Sequence, residues 1–150
     1  LLTTPPKAMD TVANKKVLVT YAGKSMREVI TLMASSNYSN IPVYRDDTLI
    51  GVANGQKILN SFGQYLLSGG KCSSFLDNVQ IEDMLSTLQN SNYYVVKKAD
   101  CTIEEALNEF DRNHKLLAIL FTKNGRDSEM PLGIMTGANV VEAQRILEEY

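Results

Sequence analysis

Apolar residues along this chain fall into a pattern that occurs twice. In "VLVTYAGKSMREVI", from Val17 to Ile30, a β-like apolar run leads through Gly23-Lys24-Ser25 into a helical pattern. Met26, Val29, Ile30 and Met33 stand at i, i+3, i+4 and i+7, which predicts one face of an amphipathic helix. In "YYVVKKADCTIEEALNEF", from Tyr93, a β-rich run leads to Ile103, Ala106, Leu107 and Phe110 at the same spacing. Both helices open with the same signature. Ser25 precedes Glu28 by three residues and Thr102 precedes Glu105 by three, so each pair predicts a capping box in which hydroxyl and carboxylate satisfy first-turn N–H groups reciprocally. Every one of these positions recurs 77 residues later, which marks an internal repeat.

The repeat continues beyond the helices. Pro42 to Tyr44 predicts a short strand, "RDDT" a turn, and Leu49 to Ala53 a second strand antiparallel to the first. Asn54 then predicts the cap of a helix reaching about Ser68, ended by Gly69-Gly70. In the second half, "LLAILF", the polar loop "TKNGRDSEM" and "PLGIMT" take the same places, and Thr136 caps a final helix over "GANVVEAQRILEEY". Gly51 and Gly133 are 82 apart because the second hairpin loop is longer, and the position matching Pro42 falls at Ala118 or Ile119. "PPKAMDTVA" leads into the first half and "QIEDMLSTL" into the second, while "LLSGGKCSSFLDN" carries the Gly/Ser signal of a connector. The expected organisation is a first repeat over 5–68, a connector over 69–79 and a second repeat over 80–150. A βαββα unit of this size has too little core to stand alone, so two units are expected to pack sheet against sheet with pseudo-two-fold symmetry, in an α/β (α+β) fold.

Candidate chemistry is sparse. Gly23-Lys24-Ser25 between a strand and a helix resembles the end of a phosphate-binding loop, but that loop needs a Gly five residues before its Gly-Lys pair, where this chain has Leu18. The helix cap is the better reading of Ser25. The 150 residues are 44% hydrophobic and 21% charged with net charge -2, ordinary for a globular protein and without the basic balance of a nucleic-acid binder. No apolar run approaches the ~20 residues that span a bilayer, so no membrane segment is expected here. Cys72 and Cys101 have no metal-ligand spacing and read as free thiols in a reducing cytoplasm. The single histidine, His114, reads as a surface residue, and no nucleophile or acid–base constellation is present.

The order and repetition of "SNIPVYRDDTLIGVANGQKIL" and "PLGIMTGANVVEA" resemble a tandem pair of CBS domains, the Bateman module of the cystathionine β-synthase domain family. The resemblance covers nearly the whole chain. It implies a regulatory module that is not an enzyme and requires no cofactor, with two clefts between the repeats that often bind adenosine-containing ligands such as AMP, ATP, S-adenosylmethionine or cyclic di-AMP. In the family, a Thr or Ser and an Asp at the strand-to-helix turn hold phosphate or ribose, where a helix start offers free N–H groups. Carried onto this chain, these positions are Thr136 and Asn139, with Gly137 between them, in the second repeat, and Asn54 and Lys57 in the first. The Asp is missing from both. Asn139 can still accept a hydroxyl hydrogen bond, whereas Lys57 can only donate. Tyr21 and Tyr38 are candidate adenine-facing rings of the first cleft.

The expected function is a cytoplasmic sensor that reports an adenosine-containing ligand to a partner protein. The alternative is a structural dimerisation module that has lost ligand binding, which the two missing Asp residues favour. A homodimer is expected through the apolar helices "ILNSFGQYLL" and "VVEAQRIL".

Overall fold

The computed structural model describes residues 4–88 and 92–150. It is a mixed α+β structure with two three-stranded sheets. The chain divides into two compact units, Leu18–Ser91 and a second formed by Leu1–Val17 together with Asn92–Tyr150.

The Leu18–Ser91 unit contains β1 (Thr20–Tyr21), α1 (Met26–Ser36), β2 (Asn40–Arg45), β3 (Thr48–Asn54), α2 (Gly55–Leu67), α3 (Cys72–Asn78) and α4 (Ile81–Ser86). Its sheet order is β1-β2-β3, the first pair parallel and the second antiparallel. The expected capping box opens α1: Ser25 Oγ accepts the Glu28 N–H at 3.1 Å, and Glu28 Oε1 accepts the Ser25 N–H at 3.2 Å. Asn37, in the left-handed region at φ 61°, closes the same helix by donating its N–H to the Met33 carbonyl. Asp46, also left-handed at φ 53°, makes the tight β2–β3 turn. Met26 and Val29 of the predicted stripe are buried with Val43, Ala53 and Ile58 in one core.

The second unit contains β4 (Tyr94–Lys98), α5 (Ile103–Arg112), β5 (Ala118–Thr122), β6 (Gly133–Thr136) and α6 (Val140–Glu149), with sheet order β4-β5-β6. Thr102 and Glu105 form the second capping box at the head of α5. Ile103, Ala106 and Leu107 face a core shared with Ile119, Phe121 and Met135. Cys101 is buried against it, and burial pushes its thiol up to about 11; Cys72 is exposed, and both cysteines are free.

Three features depart from the expected organisation. First, the leading segments exchange. The Met26 N–H donates to the Val79 carbonyl at 2.9 Å and the Ile81 N–H to the Lys24 carbonyl at 2.8 Å. In the other unit the Ala8 N–H donates to the Cys101 carbonyl at 3.0 Å and the Ile103 N–H to the Pro6 carbonyl at 2.9 Å. Each helix start is thus paired with the segment expected to lead into the other repeat, so Leu18–Ser91 is one contiguous stretch while the other unit joins Leu1–Val17 to Asn92–Tyr150.

Second, the 69–79 connector is largely helical. It holds α3, whose Phe75 is buried and whose ring lies 5.1 Å from that of Phe62 and 5.4 Å from that of Tyr65. Asp77 adds a 2.6 Å ion pair with Arg27 on α1. Serine-rich composition disfavours a helix, but burial of one aromatic ring outweighs it.

Third, the partner of Pro42 is neither Ala118 nor Ile119. Asn40 pairs with Asn54 and Pro42 with Val52, while Ala118 pairs with Thr136 and Leu120 with Ile134, so the counterpart of Pro42 is Leu120. The change matters locally. The Ala22 N–H donates to the Tyr44 carbonyl, so Tyr44 faces β1 and, two residues back, Pro42 does too. Pro42 has no N–H to give, and the parallel ladder begins only at Val43, with two residue pairs; with Leu120 in its place, β4 and β5 pair over five.

Candidate functional site

Each sheet ends in a strand that runs directly into a helix, and these two turns carry most of the candidate residues. Their local chemistry differs.

At the β3–α2 turn, Asn54 is buried, 7% exposed. Its Oδ1 accepts the Lys57 N–H at 3.1 Å, and its Nδ2 donates to Asn40 Oδ1 at 2.7 Å. The side chain is spent on capping α2 and on tying β3 to the start of β2. Lys57 is half-buried one turn into the helix. Tyr38 is half-buried just before β2, and the neighbouring Ser39 carbonyl accepts the Gly55 N–H at 3.0 Å, so Tyr38 belongs to the same end of the sheet as Asn54. Tyr21 does not. It pairs with Tyr44, four residues along β2 from Asn40, which is roughly 13 Å at strand rise. Tyr21 instead lines a separate surface depression with Tyr44, Asp46, Asp47 and the 2.7 Å Arg45–Glu82 ion pair. The two-residue parallel ladder sets β1 against the far end of β2, which the apolar pattern alone does not reveal.

At the β6–α6 turn, Thr136 is the last residue of β6 and Gly137–Asn139 forms a 3-10 turn leading into α6. Thr136 and Asn139 are half-buried and Gly137 is exposed. Asn139 Oδ1 accepts the Thr136 N–H at 2.9 Å. The amide group of Asn139 therefore closes the turn on itself, with one carbonyl lone pair and the NH2 donors remaining as hydrogen-bonding capacity. Thr136, Ala118 and Tyr94 lie in one row across the β6-β5-β4 sheet. Tyr94 is half-buried, and burial, then the Asp127 carboxylate, raises its phenol above the ordinary range. Tyr94 is legible from the sequence as part of a β-rich run, whereas Asn40 lies ahead of the strand expected at Pro42 to Tyr44; their places beside the two turns depend on register.

Gly55 and Gly137 hold the same place, first after the cap. Apart from its chain neighbours and its own helix backbone, a methyl group built on either meets nothing within 4 Å, and neither has a positive φ. Nothing within the chain requires glycine there. Among the described residues, no group of three or more His, Cys, Asp or Glu is placed to hold a metal ion, and no helix is long and apolar enough to cross a membrane.

The fold is that of solved CBS-domain structures. The CBS domain model matches residues 9–62. Solved structures with this fold include the CBS domain of a bacterial CNNM/CorC family Mg2+ transporter in complex with ATP, with a TM-score of 0.66 and 17% identity over 92% of this chain and 86% of that one. They also include CBSX2 in complex with AMP, with a TM-score of 0.65 and 18% identity over 95% and 98% of the two chains. A conserved protein from Pyrococcus horikoshii matches with a TM-score of 0.67 and 19% identity over 96% of both chains. No curated protein sequence matches this chain significantly.

Proposed function

We propose that this chain is a non-catalytic regulatory CBS pair whose second-repeat turn, Thr136-Gly137-Asn139, binds an adenosine-containing ligand of the AMP, ATP, S-adenosylmethionine or cyclic di-AMP class and reports it to a partner protein. The observation that carries the choice of turn is the contrast between the two caps. Asn54 is buried with both ends of its amide engaged, whereas Gly137 is exposed and Thr136 and Asn139 are half-buried around it. A ribose hydroxyl can donate to Asn139, and a phosphate can meet the N–H groups of the first turn. Two structures of the same fold hold ATP and AMP, which supports the ligand class.

The test is a panel of the four ligands read by thermal shift and by calorimetric titration. A ligand at 100 times its dissociation constant contributes ~2.7 kcal/mol to the folded state. At ~2–4 °C per kcal/mol for a chain of this length, the expected rise is several degrees. If none of the four moves the melting point, the sensor reading fails.

A structural dimerisation module is the second reading. The missing Asp in both turns favours it, as do Leu59, Leu66 and Leu67 of α2, which are 60%, 40% and 90% exposed.

A further inference from the structure

The N-terminal segment from Thr4 to Asn14 is held by the two elements that flank the Thr136–Asn139 turn. At one end, the Asn14 N–H donates to the Ile134 carbonyl at 2.8 Å and the Ile134 N–H donates back to the Asn14 carbonyl at 2.9 Å, two residues before Thr136. In the middle, Met9 lies over Gly133: a Cβ built at Gly133 would stand 2.4 Å from Met9 Sδ and 3.5 Å from Ala13 Cβ. Ala8 and Val12 share a core with Met135 of β6 and Ala143 of α6. At the other end, the Tyr150 hydroxyl, just past α6, donates to the Thr4 carbonyl. The segment clasps the strand–turn–helix unit before, beside and after the turn.

The geometry points to a strap. Residues 4–14 and the Thr136–Asn139 turn form one cooperative element, so that docking of the strap holds the turn closed and a ligand at the turn tightens the strap. The second half of this statement rests on the ligand reading above; the first does not. The strap's own regular structure is a single 3-10 turn, Ala8–Asp10. Its hold comes from β6, from the backbone bonds of Pro6 and Ala8 to the head of α5, and from the shared core, and such a segment opens below the global unfolding free energy. Glycine at position 133 leaves the room that the Met9 thioether fills; a methyl there would displace that flexible end, and a larger side chain would displace more of the segment. Coupling is reciprocal: whatever factor the ligand adds to strap docking, strap docking adds to ligand affinity. The device would let a ligand at the turn change how firmly the N-terminal segment is held.

The experiment is site-resolved amide exchange by NMR on the full chain, with wild type, Gly133→Leu and the milder Met9→Ala, each without nucleotide and with saturating ATP or AMP. Without nucleotide, the variants should speed exchange at Asn14 and Ile134, and should carry the effect to the Thr136 N–H that Asn139 caps, by about 5-fold or more. The Lys57 N–H, capped by Asn54 in the other unit, should not change. With nucleotide, wild-type Asn14 and Ile134 should exchange more slowly, and the variants should bind more weakly by a matching factor. A variant that frees Asn14 while leaving Thr136 at the wild-type rate overturns the coupling. If neither nucleotide binds the wild type, the ligand reading and the tightening by ligand fall together, and the nucleotide-free comparison still decides whether strap and turn move as one. Met9→Ala supplies that comparison should Gly133→Leu fail to fold.

Discussion

Asn139 turns its side-chain carbonyl back onto the N–H of Thr136, at 2.9 Å, so the residue standing where the family pattern has Asp is also the latch of its own turn. Replacing it therefore has two separable consequences. Asn139→Ala uncaps the Thr136 N–H and should lower stability by about 1 kcal/mol. It should also weaken ATP or AMP binding by about 5-fold or more, the worth of one hydrogen bond. Asn139→Asp keeps an acceptor for Thr136, places a charge where a helix start favours it, and should bind ribose at least as well. Calorimetric titration and melting curves on the same three proteins separate the effects. Equal nucleotide affinity in all three would remove Asn139 from the site.

Asn54 should behave in the opposite way. Asn54→Ala leaves the Lys57 N–H without its cap and Asn40 without its partner in a buried place. The expected loss is about 1–2 kcal/mol of stability, visible as a lower midpoint in urea. Nucleotide affinity should stay at the wild-type value. A drop in affinity with stability intact would move the ligand to the first repeat, where Lys57 is the residue to examine next.

Acid should loosen the β5–β6 loop through Glu129. Burial opposes its charge, but its carboxylate accepts the Asn124 N–H at 2.9 Å, the Asn124 side-chain amide at 2.7 Å, the Thr122 hydroxyl at 2.9 Å and the Arg126 N–H at 3.2 Å, which together hold it down to about 2. With the folded value depressed, the stabilisation is fully present above the ordinary glutamate range near ~4.3 and is lost as pH falls from there through about 2. Protection of the Asn124 and Arg126 amides, taken as exchange relative to the intrinsic rate at each pH, should fall over that window in the wild type. Glu129→Gln should show low protection already at neutral pH and little further change. A flat wild-type profile would mean that the loop is held by something else.

The exposed leucines of α2 predict self-association. Sedimentation at micromolar concentration should give about twice 16.6 kDa, and Leu59→Glu should reduce it to a single chain without lowering the melting point. A wild type that sediments as a monomer would sink the homodimer and leave the fold untouched.

The linear sequence determined whatever depends on residues within a few positions of one another. The capping boxes at Ser25–Glu28 and Thr102–Glu105 are three-residue relationships, and the apolar stripes behind them follow from 3.6 residues per turn. Both are found where the pattern put them, and their recurrence disclosed the repeat. The candidate turns were legible for the same reason, since Asn54 and Thr136 each close a strand and precede a helix. Tertiary structure decided what depends on register and on long-range pairing. The counterpart of Pro42 is fixed by which residue faces Ile134 across β5 and β6, and a one-residue ambiguity in a continuous apolar run leaves no periodic trace. The separation of Tyr21 from Asn54 follows from where a two-residue parallel ladder happens to form. Phe75 turns a serine-rich connector into a helix because a ring 5.1 Å from Phe62 is worth more than local propensity. The exchange of leading segments rests on backbone hydrogen bonds between residues more than fifty positions apart, Met26 with Val79 and Lys24 with Ile81 in one unit, and the strap on β6 rests on those around Lys7 and Thr102 and between Asn14 and Ile134, more than ninety apart, distances over which composition and periodicity carry no information.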